Sequence, residues 1–140
     1  MRPLPITENP QVIRVDFSND SAWEAICVAI AQPQGPEEFL AYVYFLNDKN
    51  YLGISKDQLM NFVPRNYGHS FLMVVDGATI LHPENPLVIV DLWDEPGREF
   101  RAIPSQIQSI ENNLSLGNMG FAEFADVVDC DSIFRGFPIH

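Results

Sequence analysis

The chain has 140 residues, 46% of them apolar and 19% charged, which argues against disorder and fits one domain whose core needs no metal or disulfide staple. Eight Lys+Arg against nineteen Asp+Glu give a formal charge of −11. That sign opposes phosphate, so it argues against nucleic acid and anionic membrane surfaces and favours either a basic partner or plain solubility.

The chain opens on an irregular arm, residues 1–10, with three prolines. Gln11–Phe17 alternates and reads as a strand. Ser21 and Glu24 have the spacing of a capping box, and Trp23, Ile26, Cys27 and Ile30 follow on one helical stripe. Pro33 and Pro36 end that helix. Phe39–Leu46 is bulky at every position and predicts a second strand covered on both faces. Ser55 and Gln58 form another capping box, with Ile54 and Leu59 placed as its staple.

Phe71–Val75 and Leu87–Val90 are apolar without alternation, the mark of strands covered on both sides. Asp76-Gly77 predicts a tight hairpin with Thr79–Leu81 returning. Pro83 and Pro86 break the chain before the strand Leu87–Trp93. Glu95-Pro-Gly-Arg98 suits a type II turn into a last strand, Glu99–Ile103. Pro104, with Ser105 and Gln108 as a capping box, opens a helix striped by Ile107, Ile110 and Leu114. A strand over Glu111–Leu116 stays open, because Asn112 and Asn113 are poor helix formers. Phe121–Val128 reads as a final helix, and Ile133–Phe137 as an apolar tail that docks back. The expected fold is α/β: a single domain with a mixed parallel and antiparallel sheet of five to six strands, covered by three to four helices.

Candidate site residues are few. His69 starts the central strand, while His82 precedes a proline and His140 ends the chain. No two stand at a metal-ligand spacing, so no metal is expected. Asp91 interrupts a core strand and needs a partner there, for which Arg98 and Arg101 across the turn are the expected candidates. Asp76 reads as a turn residue. Glu111, Asn112 and Asn113 are the densest run of hydrogen-bonding side chains, and local capping is their default role. Cys27 reads as a core residue, and Cys130 lies between two aspartates that disfavour a thiolate. There is no phosphate-binding loop, nucleophile elbow or Cys-x-x-Cys, and no cofactor is expected. The N-terminus lacks an apolar leader core and no run approaches 18 apolar residues, so a cytoplasmic protein is expected.

Residues 67–137 carry the strings Gly68-His-Ser-Phe-Leu-Met-Val-Val-Asp76, Val90-Asp-Leu92, Phe100-Arg101, Ile110-Glu-Asn-Asn-Leu-Ser-Leu116 and Phe124-Ala-Asp126, with Val15-Asp-Phe17 and Ala22-Trp23 upstream. In these the chain resembles a bacterial family of small acidic proteins that bears only a domain-of-unknown-function label. The resemblance implies a stand-alone bacterial cytoplasmic protein and no activity. At Gly120 the family pattern has an Asp, and its loss removes a cap from the last helix.

Two functions are compatible with these observations. The first is a non-catalytic acidic binding protein for a protein partner with a basic surface, of immunity or antitoxin type, acting as a monomer or homodimer. The second is a small-ligand binder or hydrolase-type enzyme built around Asp91 and His69 or His82, its site at the C-terminal ends of the parallel strands.

Overall fold

The computed structural model describes residues 3–138, so His140 lies outside the described residues. Its centre is the antiparallel pair β3, Phe71–Val75, and β4, Leu87–Asp91, with Met73 opposite Ile89. The remaining strands are β1 Gln11–Arg14, β2 Tyr44–Leu46, β5 Glu99–Ala102 and β6 Ile133–Phe134. Together they form one six-stranded mixed sheet in the order β2-β1-β3-β4-β5-β6. β1 is parallel to both β2 and β3, and β6 is parallel to β5. Helices α1 Asp20–Ala31, α2 Lys56–Asn61, α3 Gly77–Leu81, α4 Ile107–Ser115 and α5 Phe121–Ala125 complete the α/β domain.

The apolar runs lack alternation because the sheet has a core on each side. Phe71, Met73, Val75, Leu87 and Ile89 pack with Trp23, Ile26, Ile107, Ile110 and Phe124 on one face. Leu72, Val74, Val88 and Val90 pack with Leu4, Tyr51 and Leu59 on the other. Each large side chain so buried contributes roughly 1.5–3 kcal/mol of transfer free energy. Residues 3–10 of the N-terminal arm form no helix or strand but are docked: Leu4 is buried, and its N–H donates to the Phe62 carbonyl at 2.8 Å.

Several elements differ from the expectation, each for a local reason. Thr79–Leu81 is helical, not a returning strand. Asp76 caps α3 by accepting the Thr79 N–H at 3.0 Å, and the Thr79 hydroxyl accepts the Asp76 N–H at 3.2 Å, a reciprocal box that a hairpin turn would forgo. This substitution makes five helices, and the sixth strand is the docked tail, Ile133–Phe134. Of Phe39–Leu46, Tyr44–Leu46 joins the sheet as its edge strand while Phe39 forms an isolated bridge with Gln34, and Tyr42 and Tyr44 are exposed. Pro10 has no N–H with which to extend the β1 ladder, and the Tyr42 N–H is engaged by Glu111 instead. Asn19, not Ser21, caps α1. Ser105 makes no cap bond: Pro104–Gln106 is a 3-10 turn leading into α4.

Other expectations hold. Residues 111–115 are helical, the Ser55–Gln58 box is formed at 3.0 and 3.2 Å, and Gly97 takes φ +94° in its turn. The last helix starts at Phe121 although Gly120 has no capping side chain, because the Glu123 carboxylate accepts the Gly120 N–H at 2.7 Å. It stops at Ala125, short of Val128. The tail folds onto its own domain, with the Phe134 ring 5.3 Å from Phe124 and 5.1 Å from Phe137. Among the described residues no helix is long and apolar enough to cross a membrane.

Candidate functional site

Because β1, β2 and β3 run parallel and β4 runs against them, the loops entering the first three and the loop leaving β4 fall at one end of the sheet. There they enclose an open groove of about 420 Å³. Glu8 comes from the arm, Tyr42 from the segment before β2, His69 and Ser70 from the entry to β3, Trp93 from the exit of β4 and Glu111 from α4. Smaller hollows of about 310 and 140 Å³ adjoin it, and Trp93 borders all of them.

Trp93 is 65% exposed and Tyr42 62%, unusual for large aromatics without a partner. Trp93 is held by Asp91. That carboxylate, 2% exposed, makes no pair with Arg98 or Arg101. It accepts backbone N–H bonds from Trp93 at 3.0 Å, Asp94 at 3.3 Å and Glu95 at 2.7 Å. The expected Asp–Arg pair fails because the turn curls its own amides onto Asp91, satisfying the buried charge locally. Arg98 instead reaches Asp126 and Glu95. Arg101 crosses to the far end of the sheet and meets Asp76 in a fork, at 2.9 and 2.8 Å.

Glu111 is only 4% exposed. Its Oε1 accepts the Tyr42 N–H at 2.8 Å, fastening the unpaired segment before β2 onto α4. His69 Nε2 lies 2.9 Å from the Thr7 carbonyl oxygen and therefore carries its hydrogen towards the arm, while the ring sits edge-on to Tyr67 at 5.3 Å. Asn113 donates to the Ser109 carbonyl at 2.9 Å, a local helix bond, and neither it nor Asn112 lines the groove. His82 caps the end of α3, where its Nδ1 accepts the Glu84 N–H at 3.0 Å.

The structure thus brings His69 and Glu111 into one groove, with Asp91 behind Trp93, and leaves His82 and Arg101 at the opposite end of β3. That opposite end, at the C-termini of the parallel strands, holds a hollow of about 380 Å³ lined by Arg14, Asp20, Glu24, Asn47 and Lys49, and its buried arginine is already engaged. Buried Arg14 donates to Asp20 at 2.7 Å and to the Asp16 carbonyl at 3.1 Å, with Phe17 4.4 Å below its guanidinium. Arg101 also donates to the Pro86 carbonyl at 3.2 Å. Burial opposes ionisation of Asp76, but the Arg101 guanidinium and the Thr79 bonds outweigh it and hold the carboxyl below its ordinary range. Trp93, Tyr42 and Glu8 carry no motif in the sequence. The one available signal is an aromatic two residues past a buried Asp, just before an acidic Pro-Gly turn.

Among the described residues the side chains of His69 and Glu111 hydrogen-bond to backbone groups and to no serine of the groove, and no cluster of three or more His, Cys, Asp or Glu could hold a metal ion. Burial pushes the half-buried Cys27 thiol up to about 11, which keeps it protonated and inert. The groove offers two carboxylates, two exposed aromatic rings and hydroxyls, a surface suited to contact. No curated protein matches the chain. A family model, by contrast, matches residues 9–137, and the chain belongs to that family, described as a domain of unknown function, DUF6924.

Proposed function

We propose that this is a non-catalytic binding protein that receives a protein partner with a basic surface at the open end of its sheet. The observation that carries the reading is that exposed Trp93 and Tyr42 both line a groove whose ionisable walls are Glu8, Glu111 and His69, with no Lys or Arg among them. Tyr and Trp are the residue types that dominate interface energetics, and an acidic surround accelerates encounter with a basic partner.

The charge distribution supports the same conclusion. Arg14, Lys56, Arg98, Arg101 and Arg135 are all engaged in ion pairs within the chain, whose formal net charge is −11. A bacterial cytoplasmic setting and a partner of toxin type accord with this chemistry.

The reading is tested by retention of host proteins on the immobilised full chain, beside a Trp93→Ala/Tyr42→Ala variant. A basic protein held at low salt by the wild type, released as salt rises and not held by the variant is the expected result. Retention that ignores both substitutions, or no retention of any basic protein, overturns it.

A further inference from the structure

We infer that the groove is a lysine-side-chain receptor, with the partner's ammonium group set against Glu111 between the Tyr42 and Trp93 rings. This rests on the partner-binding reading above and names the group that the groove takes.

The central observation is the state of the Glu111 carboxylate. The residue is 4% exposed. Its Oε1 is engaged by the Tyr42 N–H. Among the described residues its Oε2 has no hydrogen-bond partner, and it is not among the fully buried unpartnered atoms, so it keeps solvent contact on a residue that lines the groove. Among the described residues no Lys, Arg or His side chain forms an ion pair with it. A carboxylate so deeply buried, with one oxygen fixed and the other presented to a cavity, has a vacancy for a cation that the chain does not fill.

The walls match an ammonium ion. Exposed aromatic faces attract cations, and both exposed residues line the groove. Glu8 adds a second carboxylate, and the Ser70 and Ser115 hydroxyls can accept the remaining ammonium hydrogens. One free carboxylate oxygen suits a compact ammonium better than a guanidinium, whose fork is made for two oxygens. The long aliphatic stem of lysine can lie along the rings while its head reaches the floor.

The experiment titrates the full chain with Nα-acetyl-lysine methylamide, followed by two-dimensional amide and indole NMR. The neutral Nε-acetylated analogue and Nα-acetyl-arginine methylamide run alongside. The Trp93 indole resonance, assigned with Trp93→Phe, is expected to move saturably with the lysine probe, with affinity on the order of millimolar. It should barely move with the acetylated probe, and the arginine probe should bind more weakly than the lysine probe. Glu111→Gln keeps an acceptor for the Tyr42 N–H, so the fold is retained while affinity drops about tenfold or more.

Equal shifts from the neutral probe, tighter binding of the arginine probe, or unchanged affinity in Glu111→Gln each overturn the assignment. If Glu111→Gln fails to fold, the charged and neutral probes on the wild type still decide. A basic partner retained equally by wild type and Glu111→Gln but lost from the Trp93→Ala/Tyr42→Ala variant removes the lysine site and keeps the partner. Saturable lysine binding with no retained partner does the reverse.

Discussion

The Asp91 carboxylate accepts the Trp93 N–H at 3.0 Å, so a side chain 2% exposed orients one that is 65% exposed. Two further amides converge on the same carboxylate, which makes Asp91 the anchor of the turn rather than a reactive group. Asp91→Asn replaces an acceptor oxygen by a donor that faces amide hydrogens. The expected loss is about 2–3 kcal/mol of stability in chemical denaturation. The Trp93 indole resonance should also broaden or move in the folded variant. An Asp91→Asn protein as stable as wild type, with Trp93 unmoved, would show that the turn holds itself.

The Asp76–Arg101 fork links α3 to β5 and caps a helix at the same time. Asp76→Ala removes both, with an expected cost of roughly 2–3 kcal/mol. The sign of its pH dependence follows from the lowered carboxyl. In the unfolded chain this group titrates near about 3.9, and in the folded chain below that. Its contribution is therefore complete above the unfolded value and is lost as pH falls through the folded one. The stability gap between wild type and Asp76→Asn, measured by denaturation from neutral to acidic pH, should be widest above about pH 5 and narrow below about pH 4. A gap that widens on acidification would contradict the pairing.

Tyr67 is buried, and its hydroxyl forms no hydrogen bond of good geometry, although it faces the Gln11 backbone. Burial pushes the phenol well above the ordinary tyrosine range. Tyr67→Phe removes an unsatisfied polar atom while keeping the ring against His69. Thermal and chemical denaturation should show no loss, and a gain of up to about 1 kcal/mol. A loss above that size would mean that the hydroxyl is engaged in solution.

Glu111 also has a structural duty, since it fastens Tyr42 to α4. Glu111→Ala strands a backbone N–H and should cost about 1–3 kcal/mol, while Glu111→Gln should cost well under half of that. The contrast, read from denaturation midpoints, separates the bond to Tyr42 from the negative charge. Equal losses in the two variants would show that the charge itself stabilises the fold.

How much of this was legible in the residues depends on how far each interaction reaches along the chain. Unalternating runs identify Phe71–Val75 and Leu87–Val90 as interior strands, because cover on both faces demands apolar side chains at every position. Ser55 with Gln58, and the Pro-Gly turn before Arg98, act over a few residues and are equally readable. Asp76-Gly77 shows where such reading stops: the same pair serves a hairpin or a helix cap, and Thr79 tips the balance through its bonds to Asp76 and to the Pro86 carbonyl.

The groove lay beyond reach for a related reason. Its walls come from the arm, the approach to β2, the entry to β3, the exit of β4 and α4, and strand direction alone brings them to one end. Periodicity and capping patterns therefore determined the α/β class, the central strand pair and the start of α2. Tertiary structure alone decided which ionisable groups face each other, turning Asp91 inward onto its own turn, sending Arg101 to Asp76, and leaving Glu111 open beneath Trp93 and Tyr42. The physical reason is that backbone preferences are local, whereas a site is a meeting of side chains that only the folded sheet brings within hydrogen-bond distance.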